Sequence, residues 1–171
     1  KLKKADLIEG EVHMPSPVGH KSHGQPHAHL IAWLATYCAA TPGVEVSDNA
    51  TVRLDADNEH QPDVLLRLEP AAGGRSRISE DEYVEGPPEF IAEVAGSSAA
   101  IDLHIKLNVY RRNGVPEYLV WPVYDRRVDW FEWREEVYMP KTPDEEGVLH
   151  SRIFPGLRLA FQALLDGDLA R

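Results

Sequence analysis

The stretch that decides the fold is GPPEFIAEVAGSSAAIDLHIKLNVYRRNGVPEYLVWP, residues 86–122. It begins with an apolar strand at 90–95 and continues through a turn into a helix at 99–113, whose apolar side chains share one stripe. Gly114 is suited to the end of that helix. A second apolar strand follows at 115–121, with its proline near the start. The pattern therefore predicts a strand, a helix and a second strand in direct succession.

The segments before this stretch predict more strands and one long helix. Residues 7–14 alternate loosely and fit a strand or a bent edge segment. Residues 22–40 carry apolar side chains at spacings of three and four, which indicates an amphipathic helix. Strand patterns follow at 44–54 and 63–68, and the residues at 70–88, rich in glycine and proline, are expected to form a loop.

The C-terminal third predicts a strand meander and a short last helix. Residues 127–133 alternate clearly, residues 136–140 are suited to pair with them as a hairpin, and residues 148–153 fit one more strand. A short helix is expected at 159–165. This order of elements predicts the fold class, an α+β (α/β) mixed sheet flanked by helices, in one domain over residues 1–171.

The composition limits the classes of protein to which the chain can belong. Its 171 residues include 43% apolar side chains, which excludes general disorder. A single cysteine, Cys38, excludes an internal disulfide framework and a cysteine-based zinc finger, and it fits the cytoplasmic location that we expect. No apolar run approaches the ~20 residues of a membrane helix, so no membrane partner is expected. The net charge of −10 argues against a protein that coats nucleic acid through a basic surface.

Two carboxylates stand where a charge is costly unless it is paired, protonated or bound to a metal. Glu93 lies inside the apolar strand FIAEVA, and Asp63 follows a proline and opens another apolar strand. Simpler alternatives exist for both, namely an exposed glutamate on an edge strand and an aspartate at a strand start. Two carboxylates in proximity would suit Mg²⁺, which prefers oxygen ligands.

The helix of the opening stretch carries a third candidate. Asp102, Lys106 and Tyr110 recur at a spacing of four, so all three lie on one face. A helical ion pair would explain the first two, but Lys106 is the only lysine between Lys21 and Lys141. A lysine beside two carboxylates can orient a water or stabilise charge on a phosphate. Together these residues predict metal-assisted hydrolysis of a phosphodiester.

Histidines and serines leave other interpretations open. Five of the eight histidines fall within residues 13–29, and the spacing of His23 and His27 makes a zinc pair conceivable. A proline lies between them and no HExxH motif is present, so a polar helix start with hydrogen-bonded imidazoles is favoured. The turn at 96–98 contains serines that could seat an anion or act as a nucleophile, but no partner histidine–acid pair is evident.

Several segments resemble the Uma-two family of restriction-endonuclease-like proteins, in the PD-(D/E)XK nuclease superfamily. They are LIEGEVHMPSP, QPDVLL, GPPEFIAEVAGSS, IDLHIKLNVYRRNGVPEYLVWP and FPGLRLAFQALL, and the resemblance runs over residues 6–165. It implies a restriction-endonuclease-like fold and divalent-metal chemistry on DNA. It also implies a homodimer, because two strands require two cuts and two-fold symmetry commonly supplies them. The aromatic segment 130–138 is the expected surface for that association.

The same resemblance implies roles for individual residues. Asp63 matches the first metal-binding aspartate and Glu93 the second acid, and both count as catalytic. The lysine of the superfamily pattern lies two residues after that acid, where this chain has Ala95, and Lys106 on the next helix matches it instead. Glu11 matches an acid near the N-terminus that would complete the catalytic cluster.

Three further residues match supporting positions. His23 would contact a phosphate or a water, Asp102 would orient Lys106, and Tyr110 continues the same helical row. We therefore expect an endonuclease that uses Mg²⁺ or Mn²⁺ to hydrolyse DNA. The alternative is a protein that keeps the nuclease fold and binds or regulates without cutting.

Overall fold

The computed structural model describes residues 5–96 and 98–168, and in them short strands form three sheets that are flanked by three α-helices. The strands are β1 Asp6–Ile8, β2 Glu11–His13, β3 Val44–Asp48, β4 Val52–Asp55, β5 Asn58–His60, β6 Val64–Leu68, β7 Arg77–Ile78, β8 Val84–Glu85, β9 Phe90–Ala95, β10 Glu117–Pro122, β11 Asp129–Arg134, β12 Val137–Pro140, β13 Val148–His150 and β14 Arg158–Ala160. The helices are α1 Gln25–Ala39, α2 Leu107–Arg112 and α3 Phe161–Asp166. π-Helical turns lead into α1 at His20–Gly24 and into α2 at Ile101–Lys106.

The central sheet has the strand order β12-β11-β10-β9-β6-β3. Strands β9 and β10 run parallel, joined by the helical connection that ends in α2, while β6 pairs antiparallel with β9. A second sheet has the order β2-β1-β5-β4-β8-β7, and β13 pairs with β14 in a small third sheet. This mixed sheet flanked by helices is the fold class that the order of elements predicts.

The central sheet separates two apolar clusters, because side chains alternate between the faces of a strand. On one face, Phe90, Ala92 and Val94 of β9 pack with Leu30 and Leu34 of α1. On the other face, alternate residues of the same strands pack with side chains of α2 and of the second sheet. These are Ile91, Ala95, Leu65, Val120, Tyr110 and Val52. A polar group that points to this second face is therefore covered by the second sheet and α2.

The structure differs from the sequence-based expectation mainly in its short elements. Strands β5, β7, β8 and β14 fall outside the predicted strands, because two or three residues are too few to show a period. The predicted helix at 22–40 begins two residues earlier, in the π-helical turn.

The expected association surface at 130–138 is corrected in part by the structure. Trp130 and Tyr138 are buried in the two apolar clusters, so they are core residues and do not form a surface. The exposed apolar side chains of this region are Val137 and Met139 on β12. Within the described residues, no helix is both long enough and apolar enough to cross a membrane.

Candidate active site

The register of two strands sets the two predicted carboxylates opposite each other. In the β6–β9 pair, Val64 lies opposite Ala92 and Leu65 opposite Ile91. One step further along the same register puts Asp63 opposite Glu93. Both side chains belong to the face that α2 and the second sheet cover, and each residue is only 4% exposed. The Asp63 backbone N–H donates a long hydrogen bond of 3.4 Å to Glu93 Oε2.

Lys106 reaches this pair from the π-helical turn before α2. Its Nζ lies 2.9 Å from Glu93 Oε1, 3.4 Å from Asp102 Oδ1 and 3.3 Å from Asp6 Oδ2. Asp102 is buried and belongs to the same π-helical segment, four residues before Lys106. The ammonium group is therefore held by three carboxylates from three different elements.

Two buried rings, those of Tyr110 and His60, complete the surroundings of Glu93. Tyr110 donates from its hydroxyl to Glu93 Oε1 over 3.1 Å, so this oxygen accepts from both Tyr110 and Lys106. The Tyr110 hydroxyl also lies 3.1 Å from His60 Nδ1 of β5. This contact links the second sheet to the site through buried side chains.

Asp63 is held from two directions at one oxygen. The Val94 N–H donates to Asp63 Oδ2 over 2.8 Å, and His23 Nε2 lies 3.2 Å from the same oxygen. Burial opposes ionisation of this carboxyl, but the hydrogen bond with His23 and the Val94 amide outweigh it and lower its pKa. Asp63 is thus prepared as a carboxylate, and the contacts made by described residues leave Oδ1 available.

The surroundings of Glu93 raise its pKa, whereas those of Asp63 lower the pKa of that residue. Burial raises its pKa to about 8, and the neighbouring Asp63 and Asp102 charges add to the effect against the attraction of Lys106. Burial alone would lower the pKa of Lys106, but Glu93, Asp102 and Asp6 raise it well above its ordinary value. The cluster holds more carboxylates than its single ammonium can balance, so it is suited to receive further positive charge.

The cluster opens into a cavity of about 360 Å³. Asp63, Glu93, Asp102 and Lys106 lie in its wall, and His23 and Asp6 line it as well. The outer part of the wall comes from the loop after β2 and from Tyr124, which is largely exposed. A ligand can therefore reach the buried carboxylates from solvent.

Glu11 is the predicted site residue that the structure does not bring to the cluster. It is exposed on β2, opposite Ile8, and it does not line the cavity. Asp6 of β1 is the acid from this hairpin that reaches Lys106. Glu11 pairs with Ile8, which lies two residues along β1 from Asp6, a distance of about 7 Å. Glu11 is therefore too far from Lys106 to make the contact that Asp6 makes.

Sequence reasoning missed Asp6, although a signal for it exists. Asp6 stands two residues before Ile8, which is buried, and alternate residues of a strand share one face. Glu9 and Gly10 both have positive φ, as a tight hairpin turn requires, so the turn could have been read from the Glu-Gly pair. His60 was missed too, and no pattern in its own three-residue strand reveals its contact with Tyr110.

His27, the second histidine of the conceivable zinc pair, also lies beside Asp63. The ring nitrogens of His23 and His27 and a carboxylate oxygen of Asp63 lie within 4.8 Å of one another. Ser97 lies outside the described residues, so the serine interpretation of the turn at 96–98 stays a prediction there. Ser98 donates to Asp102 Oδ2 and so supports the acidic cluster.

Comparison with known proteins finds a family model and similar solved structures. The family model Uma2, described as "Putative restriction endonuclease", matches residues 1–162. Among solved structures, the crystal structure of a putative nuclease belonging to DUF820 from Anabaena variabilis has a TM-score of 0.69 at 13% sequence identity. That match covers 94% of this chain and 90% of the other, which shows a shared fold. No curated protein sequence matches the chain.

Proposed function

This chain belongs to the Uma2 family, and from that premise we propose that it is a divalent-metal-dependent endonuclease that hydrolyses DNA phosphodiester bonds. The observation that carries the proposal is the convergence of Asp63, Glu93 and Lys106 on one open cavity. Two carboxylates and an ammonium group are the parts that metal-assisted phosphodiester hydrolysis needs.

Asp63 and Glu93 are the residues that would hold Mg²⁺ or Mn²⁺. Hard divalent cations take oxygen ligands, and these two side chains offer one lightly used oxygen each. The contacts of Val94 and His23 fall on Asp63 Oδ2, and those of Lys106 and Tyr110 fall on Glu93 Oε1. Asp63 Oδ1 and Glu93 Oε2 are therefore the oxygens that fit a cation. When bound, the cation would supply Lewis-acid stabilisation of the charge that develops on the phosphate.

Lys106 would act on the attacking water or on the phosphate. Its three carboxylate neighbours fix Nζ at the cavity wall, and burial leaves the residue only 7% exposed. An ammonium group carries three N–H donors, so it can keep one neighbour and turn a donor toward a water or a phosphate oxygen. Asp102 and Tyr110 are positioning residues, because they contact Lys106 and Glu93 and lie behind them.

His23 and Asp6 would complete the site at its open side. His23 is 20% exposed at its side chain and borders both Asp63 and the cavity, so a phosphate or a water can contact its ring. Asp6 would take the role that the family resemblance implies for Glu11, since it is the acid of this hairpin that contacts Lys106.

The proposed substrate has to approach a chain with a net charge of −10. Phosphate binding depends largely on cations, so we expect weak DNA binding that salt weakens further. A divalent cation at the acidic cluster would add positive charge where the scissile phosphate lies. The acidic charge is therefore compatible with a nuclease whose affinity for DNA depends on the cation or on a partner.

The test is cleavage of supercoiled plasmid DNA with Mg²⁺ and with Mn²⁺. We expect Asp63→Asn and Lys106→Met each to lower the rate by about 100-fold or more, because each removes charge stabilisation at the reacting phosphate. Asp57→Asn is the matched control, since Asp57 is an exposed aspartate away from the cavity, and it should keep the rate of the parent protein.

Two outcomes would contradict the proposal. Equal rates for the parent protein, Asp63→Asn and Lys106→Met would remove the active-site assignment. A folded parent protein that cuts neither supercoiled nor single-stranded DNA with either cation would favour the alternative, a nuclease fold that binds or regulates without cutting. Circular dichroism of each variant separates lost activity from lost structure.

A further inference from the structure

Two imidazole rings converge on Asp63 from the start of α1. His23 Nε2 lies 3.2 Å from Asp63 Oδ2, and His27 Nε2 lies 2.9 Å from the Asp63 backbone carbonyl oxygen. The two rings meet edge to face, with centroids 5.5 Å apart. Both Nε2 atoms therefore face the same aspartate.

The fold produces this pair through its π-helical turn. Residues four apart lie on one side of a helix, and the turn at His20–Gly24 joins α1 without a break, so His23 and His27 follow one line. Pro26 does not interrupt that line, because a proline is tolerated in the first turn of a helix. The proline that argued against a histidine pair at the level of sequence therefore carries no such weight.

The distance between His23 and Asp63 already fits the coordination shell of a metal ion, and the ligand atoms of His23, His27 and Asp63 together lie within 4.8 Å of one another. Zinc–nitrogen bonds are about 2.1 Å long, so two ligand atoms of one ion lie about 3.0 Å apart at a right angle and about 3.4 Å apart at a tetrahedral angle. The 3.2 Å between His23 Nε2 and Asp63 Oδ2 falls between these values. Asp48 Oδ1, 3.1 Å from His27 Nε2, adds an oxygen at the rim of the same group.

The donor set differs in kind from that of the Mg²⁺ position. Imidazole nitrogens favour Zn²⁺, Co²⁺ or Ni²⁺, whereas Mg²⁺ and Mn²⁺ favour oxygen ligands. Asp63 presents Oδ2 toward His23, and its Oδ1 is the oxygen assigned above to Mg²⁺. One carboxylate can thus serve two neighbouring positions of different chemistry.

We propose that His23, His27 and Asp63 form a binding site for a divalent transition-metal ion such as Zn²⁺ or Co²⁺. The site shares Asp63 with the proposed nuclease centre, but its existence does not depend on DNA cleavage. It assigns a ligand role to His27, which the proposed hydrolysis leaves unused.

The experiment is a titration of Co²⁺ and Zn²⁺ into metal-free protein produced without a polyhistidine tag. Co²⁺ binding is followed by its visible absorption and Zn²⁺ binding by calorimetry. We expect one ion per chain, bound at least about tenfold more tightly than Mg²⁺, because the site offers two nitrogen ligands. His27→Gln should weaken Co²⁺ binding at least about tenfold, as loss of a ligand does. His20→Gln is the matched control, an exposed histidine of the same turn, and should bind as the parent protein does.

A measurement on the parent protein makes the result independent of how the variants fold. Proton NMR of the Co²⁺-loaded protein should show shifted ring N–H signals from two histidines. Absence of these signals, or equal Co²⁺ binding by His27→Gln and His20→Gln, would overturn the site and leave both histidines as hydrogen-bond partners of Asp63 and Asp48.

The outcome for this site is separable from the outcome for the nuclease. Co²⁺ binding through His27 in a protein that cuts no DNA would support the site and reject the proposed function. Mg²⁺-dependent cleavage without Co²⁺ binding at the histidines would do the reverse. Asp63→Asn should impair both, since it alters the residue that the two positions share.

Discussion

At the scale of the residue, Glu93 is a buried carboxyl group whose protonation state decides whether it can bind a cation. The strand around it is apolar, and the register with β6 brings a second carboxylate opposite. Its raised pKa, about 8, means that the metal-free protein holds a proton on Glu93 at neutral pH. A cation needs the ionised form, so binding must displace this proton.

We expect the affinity for Mg²⁺ to rise as the pH rises to about 8 and then to level off. Below its pKa Glu93 keeps its proton, so the apparent affinity should fall by up to about tenfold for each pH unit between 8 and 6. Calorimetry at pH 7 in two buffers of different ionisation enthalpy measures the released proton, which should approach one per cation.

Glu93→Gln is the control for this pH dependence, because its amide cannot titrate. It should bind Mg²⁺ more weakly, and its affinity should change less with pH over the same range. Binding that releases no proton in the parent protein would show that Glu93 is ionised before the cation arrives.

Some of the residues of the candidate site could be predicted from the sequence alone, and others could not. Asp63, Glu93 and Lys106 could be predicted to meet, because an acid in an apolar strand and an isolated lysine on the following helix are local signals. Asp6 and His60 could not be placed beside them in the same way, since their contacts arise only when the second sheet packs on the first. Glu11 lies away from the cluster, because its place on the hairpin depends on where the chain turns.

At the scale of the element, the loop that follows β6 keeps the two site strands in register. Glu89 accepts from the Leu68 amide over 2.8 Å and from the Arg75 amide over 3.1 Å, so one buried carboxylate binds both ends of the loop. Gly74 donates its N–H to the Glu69 carbonyl over 3.0 Å. Strands β6, β9 and β10 could be predicted because five or six residues show a pattern, whereas this loop depends on contacts that no period reveals.

We expect Gly74→Ala to destabilise the protein by about 3 kcal/mol, because a Cβ at this position would overlap the backbone carbonyl of Leu68. Gly73→Ala is the neighbouring control. A Cβ there meets open space and only the left-handed conformation is strained, so about 1 kcal/mol is expected. Urea denaturation measures both values, and equal losses would show that the loop moves to admit the methyl group.

At the scale of the whole molecule, the central sheet ends in an edge strand that exposes apolar side chains. Strand β12 is the last strand on one side of the central sheet, and its Val137 and Met139 are about half exposed. An edge strand with apolar side chains is a template for pairing with another copy. The edge strand β12 is therefore the candidate surface for the homodimer that the family resemblance implies. The aromatic residues Trp130 and Tyr138, which the sequence suggested for this surface, are buried.

We expect a homodimer at micromolar concentration, measured by light scattering, and we expect Met139→Lys to shift it toward monomer. A lysine on an edge strand opposes pairing between sheets. Ile78→Lys is the matched control, since Ile78 is a similarly exposed apolar residue on β7, the edge of the second sheet. A parent protein that is monomeric throughout this range would reject the dimer, and equal effects of both variants would reject β12 as its interface.

The contact between Asp6 and Lys106 has a consequence for the order in which the site assembles during folding. Glu93 and Lys106 are thirteen residues apart, and Asp63 and Glu93 are thirty apart, so the central strands and the helical connection can bring them together early. Asp6 arrives only with the N-terminal hairpin, which is an edge of the second sheet. Local opening of that hairpin would release one carboxylate from Lys106 while the central sheet stays folded. Hydrogen exchange in β1 that is faster than in β9 would be the sign of such a partly open state.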